Sequence, residues 1–494
     1  MARRDLKRNY GLVNASEVAF LVLCLWIIWS QALSYATPTN DPDPDGYTSY
    51  STRLRQQFEV DRQFRRYPGY PIFITVANKV FLSEKPDPPG GIHKPVHMLQ
   101  TTVCLLFVVG FYIIVRNAFG ILVAWISVAI IAFQSFLVLY TSLPFPDFIY
   151  SIGWAGCFWH IFHWVRSTQI VPSRFNLLVF ILGIVLLQLI KPNATTILIF
   201  FALSLGFVII IGAAKFQFSR ELTRVNLIKC GIMSVIAVIV AILIILLFGS
   251  GPLDFVSREA KIKIVYYLPP ASLSNVEMKI EAGKANWQAN HGMKIEEENF
   301  LGEQHEIPFE LVDRVWLQRL AAHPLQYVKV ILGEFLRKHY LIVDAYVPFS
   351  ANTRNALYVH IMPKSTTIES KLYRSTGLWV DQIGDGTIAI VNISRPVIRV
   401  ILFWSILLIG WSQLFKNYPV FVAAMTMCMI LYAILHAAMI FIDSRYMLVF
   451  AVMLYLTQAV GLASIIRYCV GYDLVNNPLL VALKYDETQD GRKW

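Results

Sequence analysis

Charged residues are scarce in this chain. Asp, Glu, Lys and Arg make up 15% of its 494 residues, against roughly 25% in an ordinary soluble domain, so a globular surface facing water on all sides is excluded. Cysteine is equally sparing. Cys24, Cys104, Cys157, Cys230, Cys428 and Cys469 lie in or beside apolar runs, with no CxxC pair and no metal-ligand spacing, which argues against a disulfide framework or a cysteine-built zinc site. No internal or inverted repeat is visible. What the chain does have is apolar sequence: 56% of its residues are hydrophobic and its mean hydropathy is +0.54. The reading is an integral membrane protein.

Spanning the hydrocarbon takes about 20 apolar residues, and runs of that order fall near 17–36, 97–115, 118–140, 147–165, 175–190, 194–213, 229–249, 392–414, 419–441 and 446–466. The expected fold class is therefore an all-α polytopic membrane protein of about ten transmembrane helices. The first run follows Arg3, Arg4, Lys7 and Arg8 and has no small-residue cleavage site, so it reads as a retained anchor with a cytoplasmic N-terminus. Threading from there puts Arg116, Arg166, Arg174, Lys215, Arg220, Arg224, Lys229, Lys416 and Arg467 on the cytoplasmic side, as the positive-inside rule requires. The net charge of +11 is then mostly a topology signal, and nucleic acid is excluded as a partner. The division expected is a transmembrane module over 1–249 with a first outer loop at 37–96, an outer region at 250–391, further spans at 392–466 and a cytoplasmic tail at 467–494.

The outer segments have structure of their own. Residues 46–66 alternate polar and apolar groups around Tyr47, Leu54, Phe58 and Phe64, the pattern of a helix lying at the membrane surface. The stretch Glu310 to Val343 also reads as helix, too charged to span, and Pro324 is expected to divide it into two interfacial helices.

Ionisable groups at span ends are costly and are the first functional candidates. Asp41, Asp43 and Asp45 in TNDPDPDGY follow the first span, and three openings remain for them: cation binding, proton acceptance or a solvated loop. Arg62, Arg65 and Arg66 lead into Tyr67-Pro68-Gly69-Tyr70-Pro71, a rigid turn returning cations and aromatics to the bilayer; arginine there suits a phosphate, or lipid headgroups. Lys191-Pro192-Asn193 ends the fifth span, as a snorkelling anchor or an anion ligand. Asp443-Ser444-Arg445-Tyr446 opens the tenth, as a structural pair or a positioned guanidinium. Asp147, beside Pro144 and Pro146, is a fifth member. His160 and His163 lie at the other end of the same span and read as packing. The clusters share the outer side, and the combination is that of a site for an anionic lipid substrate among membrane lipids.

These residues resemble the GT-C glycosyltransferases, membrane enzymes that take a sugar from a polyprenyl-phosphate lipid, with bacterial members related to protein O-mannosyltransferases and the lipid A aminoarabinose transferase. The likeness rests on Asp43 to Tyr47 as an acidic Asp-x-x-x-Tyr first loop, on RRYPGYPIF, on KPNAT and on DSRYMLVF, in that order. It departs at Pro44, where a second acidic residue often stands, and at Asp147, where many relatives carry Glu. The resemblance implies a GT-C-like bundle with interfacial helices and one large outer loop, in a bacterial inner membrane. It implies Asp43, or alternatively Asp45, as catalytic base; Arg65, Arg66, Lys191 and Arg445 on the donor phosphate; and Tyr47, Tyr70, Asp147, Asn193 and Tyr446 on substrate. Lys338 and His339 in the large loop are further contacts.

Physically, a sugar phosphate needs a base for the acceptor and cations for the departing charge. One base without a partnered second carboxylate favours inversion over a covalent intermediate. The acceptor left open is lipid A, a lipid-linked glycan or a protein hydroxyl, and a divalent cation among the aspartates is compatible with their hard oxygens. The competing class is a transporter or flippase of a lipid-linked or anionic solute. Paired halves and mid-membrane charge would favour it; the charges here crowd one face.

Overall fold

A computed structural model describes residues 15–35, 50–51, 68–81, 94–133, 137–138, 140–141, 146–166, 173–191, 193–214, 220–248, 251–291, 308–333, 335, 396–439 and 448–470. Among the described residues the regular structure is entirely helical. In chain order the helices are α1 (Ala15–Tyr35), α2 (Gly69–Val80), α3 (Lys94–Phe119), α4 (Ile121–Phe133), α5 (Asp147–Arg166), α6 (Arg174–Ile190), α7 (Ala194–Ala214), α8 (Arg220–Phe248), α9 (Gly251–Tyr267), α10 (Asn275–His291) and α11 (Phe309–Ala322). They continue with α12 over 324–333, then α13 (Pro396–Asn417), α14 (Pro419–Met439), a 3-10 turn at Leu448–Phe450 and α15 (Ala451–Val470).

Each of the ten apolar runs falls on a helix, but the lengths differ. Among the described residues, four helical stretches are long and apolar enough to cross a membrane: Ala15–Ala32, Lys94–Phe119, Pro419–Ala438 and Leu448–Val470. Ile121–Phe133, Arg174–Ile190, Ala194–Ile210, Gly231–Leu246 and Ile401–Lys416 are shorter apolar helices. Side chains such as Leu106, Phe175, Ile210 and Leu246 stand outward and exposed, a surface suited to lipid rather than water.

Polar contacts fix which helix ends lie together. At one end Glu17 of α1 is buried, takes the Tyr112 hydroxyl at 2.6 Å and pairs with Arg116 Nε at 2.8 Å, so the start of α1 meets the end of α3. Lys229 Nζ donates to the Trp164 carbonyl at 3.4 Å, joining the early part of α8 to the end of α5. These are the ends that charge asymmetry assigns to one compartment. Gly120, with φ 88°, reverses the chain between α3 and α4, a left-handed position where glycine has no Cβ penalty.

Packing centres on α5, where Trp154, Phe158 and Phe162 are buried. Phe158 stacks on Phe450 with centroids 6.2 Å apart, and Phe162 meets Tyr418 edge-on at 4.8 Å. Beside them lies a mostly apolar cavity of about 290 Å³ lined by Phe111, Trp159, Phe421, Met425 and Met453. On α13 and α15, a Cβ at Gly410 would collide with the Thr457 carbonyl and one at Gly461 with the Ile406 carbonyl. Small residues here let two backbones touch.

Helices α9 to α11 form a separate small core of Ile262, Val265, Tyr266, Ile280, Val312 and Val315. Its centre is charged. Arg319 is fully buried; its Nε donates to Glu277 at 2.9 Å, Nη2 to Glu277 and to Glu281 at 2.8 Å, and Nη1 to the Val265 and Leu268 carbonyls at 2.5 and 2.8 Å. All five guanidinium hydrogens are used, which is what makes such burial tolerable. The expected break before Pro324 is present: α11 ends at Ala322 with His323 as its cap, and α12 follows. This unit docks on the end of α14, where Lys263 Nζ donates to the Ala437 carbonyl at 2.5 Å and the Tyr327 hydroxyl to the Ala438 carbonyl at 2.7 Å. Carbonyls in the last helical turn lack intrahelical donors, and a cation there also meets the negative end of the helix dipole.

Candidate functional site

The opposite end of the bundle, away from Glu17 and Arg116, is polar inside. Asp147 opens α5, where a carboxylate faces the positive end of the helix, and it is 4% exposed. Lys191 caps the end of α6, with its backbone N–H donating to the Leu187 carbonyl at 2.9 Å. Its ammonium reaches Asp147 Oδ1 at 2.5 Å and lies 5.6 Å from the centre of the Tyr150 ring. Two residues proposed from sequence as separate elements, 44 positions apart, are therefore one buried ion pair.

Asn193 follows immediately, before the first residue of α7. Its Nδ2 donates to the Tyr432 hydroxyl of α14 at 2.7 Å. Tyr432 is fully buried, edge-on to His436 at 4.5 Å and to Phe450 at 5.6 Å. Gln188, in the last turn of α6, accepts from the Thr195 backbone N–H at 3.1 Å and the Thr195 hydroxyl at 3.0 Å. One residue pair ties in the 3-10 turn: Ser151 Oγ donates to the Leu448 carbonyl at 2.6 Å, one helical turn from Asp147.

Tyr70 stands beside this group on α2. It is fully buried, stacks on Phe73 with centroids 5.7 Å apart and receives Gln100 Nε2 on its hydroxyl at 3.1 Å. Gly69 explains how α2 gets there: an added Cβ would stand 2.6 Å from the carbonyl carbon and oxygen of Leu189, so only glycine lets the start of α2 lie against the end of α6. Ser51 Oγ is within hydrogen-bonding distance of Thr75 Oγ1 on α2, at 2.8 Å.

Of the residues singled out in the sequence, Asp147, Lys191, Asn193 and Tyr70 meet at this end. Asp43, Asp45, Tyr47, Arg65, Arg66, Lys338, His339, Arg445 and Tyr446 lie outside the described residues, as does most of the surface helix expected at 46–66. His160 lines the apolar cavity, in keeping with a packing role. Among the described residues no three Asp, Glu, His or Cys side chains form a metal-binding group. Gln188, Gln100, Tyr150 and Tyr432 escaped a search that began from charged clusters at span ends; a neutral amide inside the apolar run LLVFILGIVLLQLI is the signal that would have found Gln188.

No family model matches the chain, and no curated protein matches it. Solved structures that resemble it include three at 12% identity. The archaeal oligosaccharyltransferase AglB from Archaeoglobus fulgidus, in complex with an inhibitory peptide and a dolichol-phosphate, aligns over 94% of this chain and 54% of its own with a TM-score of 0.44. The present chain thus spans about half the length of that protein. ArnT from Cupriavidus metallidurans aligns in the apo state over 90% of this chain and 77% of its own with a TM-score of 0.31, and bound to undecaprenyl phosphate over 92% and 79% with a TM-score of 0.32. At these scores the functional reading rests on the chain's own residues.

Proposed function

We propose that the chain is a membrane glycosyltransferase that moves a sugar from a polyprenyl-phosphate donor to an acceptor hydroxyl on the outer side of the membrane. The observation that carries this reading is the polar end of the bundle. On helices otherwise filled with apolar side chains, a dry Asp147–Lys191 pair, an Asn193–Tyr432 pair and a buried Tyr70 meet at one end. Polar groups are retained in such surroundings at a cost, and a cluster of them is a functional site by default.

The acidic loop between α1 and α2 supplies the base. Asp43 takes the proton of the acceptor hydroxyl while that oxygen attacks the anomeric carbon, and the bond from this carbon to the phosphate oxygen breaks on the opposite face. The polyprenyl phosphate leaves with an additional negative charge, the sugar is inverted, and the proton ends on Asp43. Arg65, Arg66 and Arg445 offset the growing charge, the electrostatic contribution that usually dominates. Lys191, held in place by Asp147, adds positive charge at the same edge. Asp41, Asp43 and Asp45 also form a hard-oxygen set compatible with a divalent cation. The outer region from α9 onward would cover the site and meet the acceptor, with Lys338 and His339 as contacts.

The test is transfer by Asp43→Asn and Asp45→Asn beside wild type, with and without chelator. Loss of a general base costs about 10²- to 10⁴-fold. The expected result is a loss of that order in Asp43→Asn alone; activity surviving there but lost in Asp45→Asn moves the base by two residues. Equal activity in wild type and both variants would overturn the acidic loop as the catalytic element.

A further inference from the structure

Asn193 sits where a helix-capping side chain belongs, but it does not cap. The cap position before α7 would normally turn its side-chain oxygen onto the N–H of the second or third helical residue. Here the N–H of the second residue, Thr195, is already taken by Gln188 Oε1 at 3.1 Å, from the preceding helix. The Asn193 amide is thereby released and turns to α14, where Nδ2 donates to Tyr432 at 2.7 Å. Its Oδ1 is shut off from solvent and has no hydrogen-bond partner. One turn on, the Thr196 hydroxyl is in the same condition, unpartnered on a residue 7% exposed. Positions three apart share a helix face.

Buried polar atoms are almost always paired, and one left unpaired calls for a reason. The local chemistry narrows it. An amide oxygen only accepts, and an ionised phosphate has no hydrogen to give. The missing partner is therefore an O–H or N–H group, which a sugar ring carries and its phosphate does not. Lys191, two residues earlier, donates to Asp147 Oδ1 at 2.5 Å.

We propose that Asn193 Oδ1, helped by the Thr196 hydroxyl, accepts a hydrogen bond from one ring hydroxyl or amine of the donor sugar. This rests on the glycosyltransferase reading and deepens it: the turn between α6 and α7 selects the sugar, and the arginines hold the phosphate. Tyr432 is the positioning residue that aims the amide, and Gln188 is the residue that frees it.

The experiment compares undecaprenyl-phosphate-linked glucose, mannose and arabinose with analogues in which each ring hydroxyl is replaced in turn by hydrogen or by fluorine. Wild type, Asn193→Leu, Asn193→Asp and Tyr432→Phe are assayed for kcat/KM. A site built around a buried acceptor loses about 5- to 150-fold when the matching donor is removed. The expected result is one ring position where hydrogen and fluorine both cost wild type that much, where the penalty vanishes in Asn193→Leu, persists in Asn193→Asp, which keeps an acceptor oxygen, and shrinks in Tyr432→Phe. If Asn193→Leu does not fold, the last two variants carry the comparison. Penalties that are the same in every variant would mean that Oδ1 meets water, and the assignment falls while the enzyme reading stands. Should wild type transfer no sugar, affinities for undecaprenyl phosphate and its glucosyl form decide. A preference for the glucosyl form that Asn193→Leu abolishes keeps the sugar contact without the enzyme; no preference removes both.

Discussion

Asp147 and Lys191 are 2.5 Å apart with side-chain exposures of 4% and 14%, and a pair that dry responds differently to losing one member or both. Removing one partner leaves the other charge buried and costs about 3–5 kcal/mol, whereas replacing both with neutral groups is often close to neutral. Lys191→Met is accordingly expected to lower the thermal unfolding temperature sharply, and Asp147→Asn with Lys191→Met to restore much of it. Transfer should stay low in the double variant, because the positive charge at the site is gone. Unfolding scans and transfer assays on the same preparations check this, and full recovery of both would reduce the pair to a structural element. Each residue was legible in the sequence as a charge at a span end. Their pairing was not, since nothing in either neighbourhood points across 44 positions, and the neutral partners Gln188 and Tyr432 carry no charge to draw attention.

At the scale of elements, the chain is legible wherever apolar periodicity builds the helix. The long runs and the break before Pro324 came through because Leu, Ile and Val repeat at helical spacing and proline interrupts them. α9 and α10 did not. α10 keeps few apolar contacts beyond Val276 and Ile280, and what it buries is Glu277, 1% exposed against Arg319, a device that hydropathy cannot see. Its start is fixed by Ser274, which accepts the Glu277 N–H at 3.3 Å, the first half of a capping box. This charged core gives a pH dependence. Burial pushes the Glu281 carboxyl up, but hydrogen bonds and charge from Lys284 and Arg319 outweigh it and hold the group below its ordinary value of 4.5. A depressed carboxylate contributes stability that is present above its unfolded pKa and is lost as pH falls through the folded one. Protection from hydrogen exchange in α9 to α11, relative to the intrinsic rate at each pH, should therefore fall as pH drops below about 4.5, and Glu281→Gln should flatten that acid limb. Because Glu281 is 39% exposed, the effect is expected to be modest. Arg319→Met, which strands Glu277, should accelerate exchange at all pH values; protection unchanged in both variants would contradict the role given to this network.

At the scale of the whole molecule, charge asymmetry and buried contacts agree on an antiparallel bundle. Glu17 with Arg116 and Lys229 with Trp164 mark one end; Asp147 with Lys191 and Asn193 with Tyr432 mark the other. The unit of α9 to α12 is fastened to that second end through Lys263 and Tyr327 on the last carbonyls of α14. That organisation suits an enzyme working at one membrane face better than a carrier, whose charges belong near mid-membrane in corresponding halves. The most direct measurement is to give purified wild-type protein a panel of radiolabelled polyprenyl-phosphate sugars and follow the label as it leaves the lipid, with the anomeric configuration of the product read by NMR. The account predicts that one donor is consumed and that its sugar appears inverted on an acceptor hydroxyl. Label that crosses or binds a proteoliposome while every donor stays intact would contradict it and leave a transporter in its place.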